Sequence, residues 1–217
     1  MSGEGLGPLV IVGAGDHGRV VLELLRAAGE SPSGFVQPNR EGAEARGTDG
    51  LALIGNLDGP LTWVQPGMRF VVALGDNLLR RDVYQECLRL GLAPVAAVHP
   101  TATILAGARI EPGAMVCAGV VVGVAAQIGA NAIVNTSSSA DHDVSVGPHA
   151  QVAPGARLAG RVTVGEGAYI GIGSAVREGL TIGAWAVVAG GAMVVEDVPP
   201  ATRVAGVPAR PMDSSTA

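Results

Sequence analysis

From Val98 to Val198 the chain repeats a six-residue pattern of large and small apolar positions without a break in phase. The leading position of each block, from Val98, Ile104 and Ile110 through to Val188 and Val194, is Val, Ile or Leu in every block but one, the exception being Ala140. The position four places on is Ala, Ser, Val or Leu throughout, from Ala102 to Val198. Glycine concentrates in the second position (Gly123, Gly129, Gly147, Gly165, Gly171, Gly183) and in the fourth, which holds eight glycines between Gly107 and Gly191. A fixed period this short indicates a parallel β-helix, whose stacked coils bury one continuous aliphatic column. Small residues in the fifth position fit the crowded interior beside each corner, and the glycines tolerate the turns. Three blocks per coil predict about 18 residues per coil and between five and six coils. The period leaves the handedness of the coil open.

Residues 8–97 carry a different pattern. Pro8-Leu-Val-Ile-Val-Gly13 is a short apolar run ending in glycine, as a buried parallel strand is. Val20, Val21, Leu24 and Leu25 then recur at helical spacing from His17 to Ala28, with Gly29 as the stop. Gly34-Phe-Val reads as a second strand and Phe70-Val-Val-Ala-Leu74 as a third. Asn77 can cap a helix whose apolar face is Leu79, Val83, Cys87 and Leu90, and Pro94-Val-Ala-Ala-Val98 closes the unit. Strands alternating with helices predict a parallel α/β sheet. The stretch from Asn39 to Pro66 reads as loops with one weak strand around Leu53. Two domains follow: an α/β domain over residues 1–97 and a β-helix with a C-terminal tail over 98–217.

Composition agrees. Gly, Ala and Val supply 97 of 217 residues, charged residues only 15% and aromatics 3%, so the interior must be built from small aliphatic side chains. A net charge of −5 leaves no basic surplus for nucleic acid. No apolar run approaches the ~20 residues that span a bilayer, no cationic stretch precedes an apolar one at the N-terminus, and two cysteines make no disulfide framework. A cytoplasmic protein is expected.

His142 stands between Asp141 and Asp143, in the one block whose leading position is not a large aliphatic. An imidazole with an ordinary pKa of ~6.5 suits base catalysis at neutral pH, and an adjacent carboxylate can fix its tautomer; an ordinary surface histidine is the competing reading. His149 lies seven residues on, a spacing that does not suit a zinc site, which needs three converging ligands. Hexad corners present backbone N–H groups, which makes Gly119 a candidate oxyanion donor. Cys117, a lone cysteine among Val and Ala, reads as a small core residue. Gly13-Ala-Gly-Asp-His-Gly18 fits a phosphate-binding turn between strand and helix. Gln37 and Pro38 stand where a dinucleotide site wants an acid, so NAD is disfavoured.

Taken together, Ile11-Val-Gly-Ala-Gly-Asp-His-Gly-Arg-Val20, Gly34-Phe-Val, Leu74-Gly-Asp-Asn-Leu-Leu-Arg80, His99-Pro100, Asn135-Thr-Ser-Ser-Ser-Ala-Asp-His-Asp143 and Val204-Ala-Gly-Val-Pro-Ala-Arg210 span almost the whole chain. Their combination resembles the left-handed β-helix nucleotide-sugar acetyltransferases: the bacillosamine and perosamine N-acetyltransferases and the sialic acid O-acetyltransferases, with the perosamine enzymes nearest. The resemblance implies left-handed coils, a homotrimer with sites between subunits, acetyl-CoA as donor, no metal, and direct attack by the acceptor amine without an enzyme nucleophile. It assigns His142 as general base and Asp143 as its support. It further implies that His149, Ile172 and Gly190 contact acetyl-CoA, that Gly15, Asp16 and His17 hold the diphosphate of a nucleotide sugar, and that Gln37 and Gly75 flank its base and ribose. The expected reaction is acetylation of a 4-amino-4,6-dideoxy sugar on a nucleotide, GDP-perosamine first. Acetylation of a hydroxyl, or of a UDP-linked amine, and a non-catalytic solenoid are the alternatives.

Overall fold

The computed structural model describes residues 7–38 and 49–212. The N-terminal unit is a five-stranded parallel sheet of β1 (Leu9–Val12), β2 (Gly34–Gln37), β3 (Leu53–Asn56), β4 (Arg69–Val72) and β5 (Ala93–Pro94), in the order β3-β2-β1-β4-β5. All four residues of β1 are buried, and the reason is a helix on each side. Leu9 and Ile11 pack with Val21, Leu22 and Leu25 of α1 (Asp16–Ala27), while Val10 and Val12 pack with Val83, Tyr84 and Cys87 of α2 (Asn77–Arg89). Gly18 allows α1 to sit this close, because a Cβ there would lie 2.3 Å from the Gly13 carbonyl oxygen.

The expected elements form, with three local differences. The cap of α2 is Asp76, whose Oδ1 accepts from the Leu79 N–H at 2.8 Å, which frees Asn77 to reach the other domain. The closing stretch from Pro94 to Val98 divides: β5 completes the α/β sheet, while β6 (Ala97–Val98) is already the first strand of the solenoid, so the β-helix begins at Ala97, one residue before the expected boundary. Of the segment from Asn39 to Pro66, residues 39–48 lie outside the described residues, and the weak strand around Leu53 is β3.

The solenoid is a left-handed parallel β-helix. Two-residue strands repeat every 18 residues in register, as in Val122↔Ala140 and Val134↔Val152, and build three flat faces. The first face has eight strands and includes β6; the second has six, from Thr103–Ile104 to Met193–Val194; the third has five, from Arg109–Ile110 to Thr181–Ile182. The leading column fills the interior, and from Val116 to Val194 it is almost completely buried.

The corners have one conformation. From Gly107 to Gly191 the fourth position of every block has positive φ; eight of these are glycine, and the others are Ala125, Asn131, Ser137, Asp143, His149, Arg161 and Trp185, at φ between 54° and 60°. Away from glycine such backbone is uncommon, and Asn, Asp and His tolerate it best. The N–H of this position usually donates to a carbonyl of the coil below, as Asp143 does to Val124 and His149 to Ala130. The N–H of the third position takes no part in that ladder, and proline occupies it at residues 100, 112, 148 and 154 without loss.

The two domains share one core. Leu9, Ile11 and Phe35 belong to the same buried cluster as the solenoid column. Helix α2 lies along the edge between the third and first faces. The Tyr84 ring fills the space over Gly113, Arg80 reaches the carbonyls of Asn131 and His149, and Asn77 Nδ2 donates to the Gly167 carbonyl at 3.0 Å. The Arg81 guanidinium sits 5.1 Å from the centre of the Trp185 ring. A helical turn of about 5.4 Å nearly matches the ~4.8 Å between coils, so residues spaced three and four apart meet successive coils.

Candidate functional site

The prism has three edges: the first joins the first and second faces, the second joins the second and third, and the third joins the third and first. Six residues at ~3.3 Å each place neighbouring edges at most roughly 20 Å apart. The expected site residues divide among all three.

His142 and Asp143 stand on the second edge. His142 Nδ1 lies 2.9 Å from Asp143 Oδ2, with the imidazole side chain 46% exposed. A carboxylate partner fixes the proton on Nδ1 and leaves the Nε2 lone pair free. Asp141, which had no expected role, accepts the His142 backbone N–H through Oδ1 at 2.7 Å and so steadies the turn. The next coil supplies the floor, since a Cβ at Gly160 would fall 2.3 Å from His142 Nε2. Gly160 was not singled out from the sequence, where it is one glycine among 33; only the 18-residue stacking shows that it carries the imidazole. Its N–H, in the third corner position, makes no hydrogen bond to another described residue.

The first edge carries the open surface. A cavity of about 700 Å³ lies between α1 and the lower coils, lined among others by Asp16, Arg19, His99, Cys117, Ala118 and Thr136. Gly119 stands beside it, and its expected role needs correction. Its N–H donates to Thr101 Oγ1 at 3.2 Å, and that hydroxyl lies 2.8 Å from His99 Nδ1, so the donor is already engaged. Among the described residues, the N–H of this corner that finds no partner is that of Ala118, in the third position. Cys117 is buried and its thiol is pushed up to about 11 by desolvation, which makes it a poor nucleophile. Higher on the same edge Ile172 is 62% exposed below Gly190, whose missing side chain leaves room for it. Gly155, Gly173 and Gly191 have nothing within 4 Å of where a Cβ would stand, so the upper edge is an open track.

His149 stands on the third edge beneath α2, where it is 6% exposed, its ring packed edge-on against Tyr84 at 5.6 Å. Asn131 Nδ2 donates to the Arg80 carbonyl at 3.3 Å and lies 2.8 Å from His149 Nδ1. A nitrogen that donates to a carbonyl is an amide NH₂, so His149 Nδ1 accepts and its proton resides on Nε2. Burial, with Arg80 next in importance among the charges that oppose protonation, lowers its pKa below the usual histidine value. His149 is therefore a member of the domain junction rather than of the open track that holds Ile172 and Gly190.

The residues expected to hold the acceptor lie at the carboxyl ends of the parallel strands, where adjacent β1 and β4 lead into Gly15 and Gly75, the usual ligand crevice of an open α/β sheet. Gly15 caps α1 without a side-chain hydrogen bond, so the first N–H groups of the helix remain available to an anion. Asp16 is exposed at the cavity. His17 is half-buried, with Nε2 unpartnered and a pKa lowered first by burial and then by Arg80. Gln37 ends β2. Gly75 lines a second groove, of about 500 Å³, with Asn77, Tyr169, Trp185 and Arg203. No helix among the described residues is long and apolar enough to cross a membrane.

Comparison with known proteins places the chain in a family. Residues 8–87 match the PglD N-terminal domain. The structure superposes with a TM-score of 0.90 on perosamine N-acetyltransferase from Caulobacter crescentus, at 36% identity over 97% of this chain and 99% of that one; that protein was crystallised with CoA and GDP-perosamine as a variant in which a histidine is replaced. The acetyltransferase domain of PglB from Neisseria gonorrhoeae FA1090, solved with acetyl coenzyme A, matches at 33% identity, covering 96% and 100% of the two chains with a TM-score of 0.87. WeeI from Acinetobacter baumannii AYE matches at 25% identity over 94% and 99%, with a TM-score of 0.84. Comparison with curated protein sequences returned no match. The fold and its two-domain order define a β-helical acyltransferase. The chain belongs to the nucleotide-sugar acetyltransferase family that includes the perosamine enzyme.

Proposed function

We propose that the protein transfers the acetyl group of acetyl-CoA to the 4-amino group of a nucleotide-linked 4-amino-4,6-dideoxy sugar, with GDP-perosamine as the first acceptor to test. The observation that carries this reading is the His142–Asp143 pair, exposed on a bare edge over Gly160. The likeness to the Caulobacter crescentus enzyme over nearly the whole chain supports the acceptor class.

In this reading the neutral amine attacks the thioester carbonyl, and His142 Nε2 removes the proton that the new C–N bond makes acidic. Asp143 holds the other ring proton and stabilises the imidazolium. The tetrahedral oxyanion takes a backbone N–H, for which Gly160 replaces Gly119 as the better candidate, being free and adjacent to the imidazole. Collapse breaks the C–S bond, and the imidazolium returns its proton to the CoA thiolate. The acceptor diphosphate takes the N-terminus of α1 at Gly15, Asp16 and His17, while Gln37 and Gly75 flank the nucleoside. The pantetheine arm takes the open track past Ile172 and Gly190.

One chain does not complete this site, because His142 is on the second edge and the acceptor cavity and track are on the first. A homotrimer, in which the second edge of one copy faces the first edge of the next, brings them together. The test is CoA thiol release from acetyl-CoA with GDP- and UDP-linked 4-amino sugars and free sialic acid as acceptors, together with the mass of the assembly in solution. Release with one nucleotide-linked amine by a trimer is expected. Release with the hydroxyl acceptor alone would move the reaction to O-acetylation, and a fully active monomer would remove the composite site.

A further inference from the structure

Helix α2 presents to the third edge a guanidinium that the reaction as described does not use. Arg80 is completely buried, yet among the described residues no carboxylate pairs with it. Its donors go to neutral carbonyls: Nε to Asn131 at 3.2 Å, Nη1 to Leu74 at 3.1 Å, and Nη2 to His149 at 2.7 Å and Ala150 at 3.4 Å. Asp76 acts on it only through space, and desolvation lowers the guanidinium to about 10. A buried charge without a counter-ion is unfavourable, and an apolar side chain of similar volume would fill the space without that penalty.

The carbonyls it reaches have particular addresses. Leu74 immediately precedes Gly75 of the acceptor loop, and Asn131 and His149 are the corner residues of two successive coils. Asn131 closes the arrangement by donating back to the Arg80 carbonyl while holding His149 Nδ1. His17, in the phosphate-binding turn, feels the same guanidinium and offers it no counter-charge. One planar fork therefore joins the acceptor loop to two coils of the β-helix at once. A lysine ammonium keeps the charge but has no such fork.

We infer that Arg80 is a positioning residue: it sets the acceptor loop in register with the β-helix, so that the sugar amine arrives within reach of the thioester. Arg80 itself touches neither substrate nor donor. The inference rests on the reading of function above.

The test compares the full-length wild type with Arg80→Lys and Arg80→Met. It measures kcat per CoA-binding site, both KM values, binding of GDP-perosamine and CoA by calorimetry, and Tm. Arg80→Lys is expected to fold, to keep its KM for acetyl-CoA within about twofold, and to lose roughly 10–100-fold in kcat at saturating acceptor, the scale of a small misplacement of reacting groups. Arg80→Met is expected to lose at least as much. A purely structural guanidinium would lower Tm and the number of active sites while leaving kcat per site unchanged, so a folded variant within about twofold of wild type in kcat overturns the inference. Failure of both variants to fold would assign Arg80 to folding alone and overturn it equally. The wild type is assayed first with the same acceptor: an inactive wild type overturns the acetyltransferase reading, whereas an active wild type with unaffected variants overturns only the role of Arg80.

Discussion

The second and third edges of the β-helix are built from the same repeat and the same corner conformation, and each carries a histidine, His142 and His149, seven residues apart. On the second edge no described residue of the N-terminal domain covers the corner, and His142 is half-exposed beside Asp143. On the third edge α2 runs along the corner, and His149 is enclosed by Tyr84, Asn131 and the Arg80 guanidinium. His142 takes the third position of its corner and His149 the fourth, the one with positive φ; what lies over each edge then decides whether the side chain stays open to solvent or is enclosed between two domains.

The comparison can be broken most severely at the second edge. His142→Asn is expected to lower kcat by about 10²–10⁴-fold with GDP-perosamine and CoA still bound, measured by thiol release and calorimetry; an active variant would remove the base. Gly160→Ala places a methyl where the imidazole lies and is expected to cost about 10²-fold in kcat with little change in Tm, because the edge is open to solvent and the ring can swing outward.

The third edge is expected to respond through stability. His149 and His17 both titrate below the usual histidine value in the folded protein, so folding favours their neutral forms. Their stabilisation is present above the unfolded pKa of ~6.5 and is lost as the pH falls through that value toward the folded one. Thermal unfolding followed from pH 8 to pH 5 should show Tm falling below about pH 6.5. His149→Gln should flatten that fall, since glutamine takes up no proton. The smallest effect is expected from thiol alkylation at pH 8, which should leave activity unchanged. Burial holds Cys117 at about 11 and Cys87 at about 12, so neither is a thiolate there.

Much of the fold was legible in the chain. The six-residue phase and the column from Val98 to Val194 state where each short strand lies, and glycine in all but two of the corners from Gly107 to Gly191 states how the chain turns. The glycine-rich turn at Gly13–Gly18 and the His142–Asp143 pair are local in sequence, so their placement could be read directly. The reading went astray where partners are distant. Gly119 offers a corner N–H, but Thr101, 18 residues earlier, takes it. Asn77 stands at a helix start, yet its amide is spent 90 residues away at Gly167.

The sequence by itself determined the solenoid, the α/β unit before it and the adjacency of His142 and Asp143, because each rests on a short period or on neighbouring residues whose geometry the backbone dictates. Only the tertiary structure decided which edge α2 covers, and with that the separate surroundings of His142 and His149, the floor that Gly160 lays against the imidazole, and the buried fork of Arg80. Those features depend on stacking every 18 residues and on docking between domains, and an equivalent corner in sequence becomes a different chemical environment once one is covered and the other is left to water.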